Sequence, residues 1–184
     1  MKIVLRLLTG AVLLAVILFA VGLMLPRHVG VERRIVINAP AEVVYLYVND
    51  LRRFNTWSPW AKAYPDMVFR FSGPEAGVGA RMDWESGHPD LGSGGQEIVE
   101  AVPDRFVRSV LDFGEKGSSM IFWRLDPVED GDATRVTWRF TTDMGYNPIG
   151  RYRGLAFDDM VGRDYEKGLD ALKDRAESHG HAGS

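Results

Sequence analysis

Three stretches interrupt an otherwise alternating pattern of apolar and polar positions along this chain. The first is Leu7–Leu25, nineteen residues without a charge, preceded by Lys2 and Arg6 and closed by Pro26-Arg27. As a helix it would be about 28 Å long, close to the hydrocarbon thickness of a bilayer. The second follows Asn38-Ala39-Pro40-Ala41-Glu42, where Val43, Val44, Leu46, Tyr47 and Leu51 fall at helical spacing. Pro40 suits a first helical turn and Glu42 complements the helix dipole there. A second short helical turn is expected over Leu51–Trp57. The third stretch runs from Pro148 to about Glu177, with Asn147 as N-cap and a stripe of Phe157, Val161, Tyr165, Leu169, Leu172 and Ala176.

Between the helices the chain reads as short strands divided by Gly, Pro and Asp. Seven are expected: Arg33–Asn38, Val68–Ser72, Ala80–Glu85, Gln96–Ala101, Phe106–Phe113, Ser119–Asp126 and Arg135–Thr142. The short links between them call for antiparallel pairing. Gly114-Glu115-Lys116-Gly117 reads as a hairpin loop, and Ser86–Gly95, with Gly92-Ser93-Gly94-Gly95 as an ordinary turn, reads as a longer one.

Side-chain alternation assigns faces to these strands. Val136, Trp138, Phe140 and Thr142 share one face, and Arg135, Thr137, Arg139 and Thr141 the other. Ile121, Trp123 and Leu125 belong together, as do Val107, Ser109, Leu111 and Phe113. Ala80, Met82 and Trp84 oppose Arg81, Asp83 and Glu85, and Phe69 pairs with Phe71. The inner surface is thus bulky and aromatic, able either to fill a core or to line a cavity.

The apolar N-terminal segment reads as an uncleaved membrane anchor. A cleaved signal peptide is the competing reading, with Ala20-Val21-Gly22 as its small-residue site; Leu23-Met24-Leu25 continue the apolar run past that site. Basic residues flank both ends, so charge does not choose a side of the membrane. The expected organisation is an anchor over residues 1–27, a linker over 28–32, a folded domain over 33–178 and a disordered tail over 179–184.

Without residues 1–30 the chain has 19 basic and 25 acidic residues, a net of −6, and no basic run. Nucleic acid is a poor partner for such a surface. There is no cysteine, so disulfides and thiolate chemistry are excluded. Catalytic patterns are thin: no nucleophile elbow, no paired-histidine helix and no phosphate loop. His88-Pro89-Asp90 reads as a surface loop, His28 as interfacial, and His179 with His181 as a frayed end without further ligands. Asp83, Glu85, Glu97 and Asp112 are expected on solvated outer faces. Gln96, Ser109, Thr142 and Tyr146 are the polar groups that could point inward. No catalytic residue, metal site or cofactor is assigned.

The order of elements and several local motifs resemble the START-like, or SRPBCC, superfamily, within it the polyketide cyclase/dehydrase and lipid-transport-like group. The motifs are Ile37-Asn38-Ala39-Pro40-Ala41-Glu42-Val43, Asn49-Asp50-Leu51-Arg52-Arg53-Phe54 and Trp57-Ser58-Pro59-Trp60. Further along they are Gly73-Pro74 with Gly77-Val78-Gly79, Ile98-Val99-Glu100 with Pro103, and Thr134-Arg135-Val136-Thr137-Trp138. The ending Met160-Val161-Gly162-Arg163-Asp164-Tyr165-Glu166-Lys167-Gly168-Leu169 completes the match. The resemblance implies an α+β helix-grip fold, a curved seven-stranded antiparallel sheet around a long C-terminal helix, and a ligand cavity between them. It does not name an activity.

Three functions follow as alternatives: a membrane-tethered carrier or sensor of a lipid-like or polyaromatic molecule, a cyclase- or dehydratase-type enzyme on such a ligand, or a co-chaperone-like interaction module with a filled core. The first is favoured by the aromatic inner face and the anchor. The expected ligand-binding residues are Phe69, Phe71, Met82, Trp84, Gln96, Trp123, Trp138, Phe140, Phe157 and Met160. Trp57, Trp60 and Tyr146 are expected at the mouth. Gly150, Gly154 and Gly162 loosen the start of the last helix, either as a lid or to permit close packing.

Overall fold

The computed structural model describes residues 2–88 and 92–181. Helix α1 (Lys2–Met24) leads into strand β1 (His28–Ile37), followed by α2 (Ala41–Val48), α3 (Leu51–Trp57) and α4 (Pro59–Ala63). Six strands come next: β2 (Val68–Ser72), β3 (Arg81–Glu85), β4 (Ser93–Val102), β5 (Phe106–Asp112), β6 (Ser118–Val128) and β7 (Ala133–Asp143). Helices α5 (Pro148–Gly154) and α6 (Phe157–His181) close the chain.

The strands form one antiparallel sheet in the order β1-β7-β6-β5-β4-β3-β2. Consecutive strands from β2 to β7 are neighbours, and β1 is added beside β7. A register shift between Ile98 and Glu100 places an extra residue in β4, which bends the strand and helps the sheet curl. Helix α6 packs on the inner face along β1, and α2, α3 and α4 close the remaining side. This is the helix-grip arrangement.

The expected faces are observed. Val136, Trp138, Phe140, Ile121, Trp123, Leu125, Val107, Ser109, Ala80 and Met82 are all buried. Asn147 caps α5 through its Oδ1, which accepts from the Ile149 N–H at 3.0 Å. Leu169, Leu172 and Ala176 are buried along α6, with Tyr165 on the same stripe.

Four boundaries differ from the sequence expectation. His28–Glu32, expected as a linker, is strand, because its backbone pairs with the end of β7 from His28 opposite Asp143 onward. Only three residues therefore separate α1 from the first strand. Ser93–Gly95 belong to β4 rather than to a turn. Trp84 lies across Gly94, its register partner, where any Cβ would collide with the indole. The last helix is two helices, interrupted at Leu155-Ala156, where Leu155 and Ala156 donate to carbonyls three residues back. Helix α6 reaches His181, so His179 is helical rather than frayed; Ala182–Ser184 lie outside the described residues, as do Pro89 and Asp90.

Candidate functional site

The inner face of the sheet is organised in rows of register partners running across the strands. One row, starting beside α1, is Val29, Thr142, Ser119, Leu111, Gln96, Met82 and Phe71. The next is Val31, Phe140, Ile121, Ser109 and Ile98, and the third holds Arg33, Trp138, Trp123 and Val107.

The third row is closed by aromatic packing. Trp123 stacks on Trp138 with centroids 4.4 Å apart, and Tyr165 of α6 stacks on Trp138 at 3.9 Å. Trp57 meets both tryptophans edge-on at 5.8 and 5.9 Å, and Trp60 meets Trp138 and Tyr165 in the same way. Such offset and edge-to-face contacts add to the burial of the rings themselves. Trp57, Trp123 and Trp138 therefore pack against one another. Burial pushes the Tyr165 phenol well above its ordinary range, which keeps it neutral.

The apolar groups around the Leu111 and Phe71 end of the first row are different in character. Leu111, Phe71, Phe69, Trp84, Phe113, Trp60 and Phe157 are half-buried rather than enclosed. Trp84 meets Phe113 edge-on at 5.8 Å, and Phe140 stacks on Phe157 at 5.2 Å. Arg52 lies over the Phe71 ring at 4.4 Å. Among these apolar groups Gln96 is buried between Leu111 and Met82 in the register. The Ser119 hydroxyl donates to Thr142 Oγ1 at 2.9 Å. In the adjoining row the Ser109 hydroxyl is buried without a partner, as is the Trp138 indole N–H. A buried unpaired hydroxyl costs about 1–3 kcal/mol, so each such group has a free hydrogen bond to offer.

Two expected site residues are not brought to this surface. Met160 is 69 % exposed. At 100° per residue it lies about 140° around α6 from Tyr165, on the side away from the sheet. Tyr146 is 75 % exposed and sits 4.5 Å from the Arg27 guanidinium, beside α1 rather than beside Trp57. The remaining expected residues lie on the inner face or on the helices that cover it, though Trp57, expected at the mouth, is buried against Trp123 and Trp138 instead.

One residue of this region was not anticipated. Arg33 shares the inner face with Val31, Ile35 and Ile37, and its guanidinium lies beneath α6. Its Nε donates to Glu166 at 2.8 Å and its Nη1 to Asp158 at 2.9 Å. Gly162, between those acids on the helix, leaves the space that the guanidinium occupies. The hydrogen bond from Arg33 lowers the Asp158 pKa. The signal was available in the alternation of β1 and in the four-residue spacing of Asp158, Gly162 and Glu166.

Helix α5 is fastened to α1. Arg151, only 8 % exposed, donates to the carbonyls of Leu23, Leu25 and Gly145. The Tyr152 hydroxyl donates to the Leu18 carbonyl at 2.8 Å, and Pro148 rests on Gly22. Of the α1 residues only Gly22 is buried. The glycines of α5 and early α6 thus serve contact: Gly154 meets Val29, and Gly162 meets Arg33.

Elsewhere, an open depression of about 400 Å³ lies on the outer face among Arg81, Glu97, Val99, Val110, Asp112 and Ser118. Arg81 pairs there with Asp83 and Glu97, the solvated acids expected on that side. Among the described residues no three His, Asp or Glu side chains converge to hold a metal ion.

Comparison with known proteins places this geometry. A family model described as polyketide cyclase / dehydrase and lipid transport matches residues 28–177. No curated protein matches the chain in sequence. Among solved structures, the Zhui aromatase/cyclase from a Streptomyces species superposes with a TM-score of 0.57 at 17 % identity, covering 82 % of this chain and 94 % of that one. A protein of unknown function from Staphylococcus aureus gives 0.60 at 12 % identity, covering 84 % and 96 %. The Aha1 dimer from Colwellia psychrerythraea gives 0.52 at 19 % identity, covering 81 % and 96 %. At these identities the structures share the fold alone. With the family model covering the whole grip from β1 into α6, the chain belongs to the polyketide cyclase/dehydrase and lipid transport family, a member of the SRPBCC superfamily.

Proposed function

We propose that this protein is a membrane-tethered carrier or sensor of a hydrophobic, lipid-like or polyaromatic small molecule, with α1 as the tether. The observation that carries the reading is the half-buried apolar patch of Phe69, Phe71, Trp84, Leu111 and Phe113, with Gln96 and Ser109 buried among its neighbours. Large apolar surface with one or two placed polar groups is the usual composition of a small-molecule site. The ligand's apolar body would lie along Trp84, Leu111 and Phe113, and its polar group would meet Gln96 or the unpaired Ser109 hydroxyl. The stacked tryptophans behind it form a rigid wall.

Binding is preferred over acid–base catalysis because the side chains offered to the ligand are amide and hydroxyl groups. A general acid or base would be a carboxylate or imidazole poised near neutral pH, and the inner-face row contains neither. The cyclase and dehydrase activities in the family's description remain the alternative for the same site.

The test is ligand retention. Full-length protein purified in mild detergent is analysed by native mass spectrometry and titrated with an apolar fluorescent probe. Saturable binding that is lost in Leu111→Glu, with an unchanged melting temperature, is the expected outcome. Saturable binding absent from the wild type would overturn the reading.

A further inference from the structure

We infer that α5 and the α5–α6 elbow lie at the boundary between head groups and acyl chains of the membrane that α1 enters, so that the lipid bilayer itself covers the apolar side chains exposed there. The inference rests on the tether reading and adds a second membrane contact, which fixes the orientation of the domain.

The argument begins with depth. Tyr152 bonds to the Leu18 carbonyl, six residues before the end of α1. At 1.5 Å per residue that is about 9 Å back along the helix. Pro148 touches Gly22 at an intermediate level. Leu18 and Gly22 are both part of the uncharged run Leu7–Leu25. A helix that runs beside the last two turns of a membrane span cannot stand in bulk water while those turns stand in lipid.

The surface of α5 suits that position. Ile149, next to Pro148 on α5, is 64 % exposed, and Leu155, at the end of α5, is 61 % exposed; both are large aliphatic groups. Tyr146, also exposed, is an aromatic of the kind favoured at the boundary, and exposed Arg153 carries charge suited to phosphate groups. The buried guanidinium of Arg151 bonds to carbonyls at the C-terminal end of α1, where a cation complements the helix dipole. It locks α5 to the span rather than leaving it to swing. Continuity with α1 is what selects lipid as the occupant over a second protein.

The natural chain has no cysteine, so single labels can be placed without background. Nitroxide labels at Ile149→Cys and Leu155→Cys, with Val12→Cys in mid-span and Asp132→Cys in the far β6–β7 turn, are examined in the full chain. The membranes are phosphatidylcholine–phosphatidylglycerol vesicles, and accessibility to oxygen is compared with accessibility to an aqueous nickel chelate. The expected result is that labels 149 and 155 are reached by oxygen and shielded from nickel, at shallower depth than label 12, whereas label 132 is open to nickel. Nickel access at 149 or 155 with label 12 in lipid would overturn this inference and leave the tether standing. Nickel access at label 12 as well would overturn both. Shielding of 149 and 155 from oxygen and nickel alike would mean that protein covers the elbow, and would also overturn it.

Discussion

Gly168 passes so close to Trp138 that a methyl group on it would lie 2.7 Å from the ring's Cζ3 and 3.3 Å from Pro59 Cδ. Helix α6 can rest on the tryptophan stack only because that position has no side chain. In an exposed helix, Gly→Ala gains about 1 kcal/mol of stability. Here the sign should reverse. Gly168→Ala is expected to destabilise by about 1–3 kcal/mol through overpacking of a rigid ring, measured as a shift of the denaturant midpoint. A stabilised variant would show that the helix does not sit on Trp138.

Leu172 is fully buried on the same helix. Leu172→Asp places an unpaired carboxylate in the core and should cost several kcal/mol. Loss of the cooperative thermal transition is expected; an unaltered melting curve would remove α6 from the core.

The unpaired Ser109 hydroxyl separates stability from function. Ser109→Ala removes a buried polar group that has no partner, so stability should stay level or rise by about 1 kcal/mol. If that hydroxyl serves the ligand, affinity for a ligand with a polar group should fall about five- to tenfold at the same time, a loss of about 1 kcal/mol. Parallel melting and binding titrations of the one variant read both effects, and unchanged affinity would take Ser109 out of the site.

Asp143 joins the start of β1 to the end of β7 by accepting from Arg27 Nε at 2.7 Å. That hydrogen bond, helped by the Gly145 N–H, holds its pKa down to about 2 against an ordinary value of 3.8. A carboxylate with a lowered folded pKa contributes stability in full above the unfolded value and loses it as pH falls through the folded one. The melting-temperature gap between wild type and Asp143→Asn should therefore be constant from neutral pH down to about 4 and close as pH falls towards about 2. A gap that stays open at about pH 2, or closes well above about pH 4, would show that the Arg27–Asp143 pair does not set it.

Local periodicity was enough to determine much of this protein. The alternation of Val136, Trp138 and Phe140, of Ile121, Trp123 and Leu125, and of Val107 and Ser109 names the inward face of each strand. The pair Asn147-Pro148 marks where α5 begins, and nineteen uncharged residues mark α1. These are properties of residues a few positions apart, so no tertiary contact is needed to read them.

Tertiary structure alone decided what each inward side chain meets. Trp123, Trp138 and Tyr165 are far apart in sequence, and nothing local says that they stack on each other instead of facing a void. His28–Glu32 became strand because β7 supplied backbone partners more than a hundred residues away. The expected long helix became two because α5 leaves the line of α6 at Leu155-Ala156 to pack on α1. The charge of Arg33 is tolerated beneath α6 because the fold brings Asp158 and Glu166 across the grip to pair with it. Each of these outcomes is set by a non-local pairing: a strand's sequence states which face is apolar, and only the folded chain supplies the surface against which that face closes.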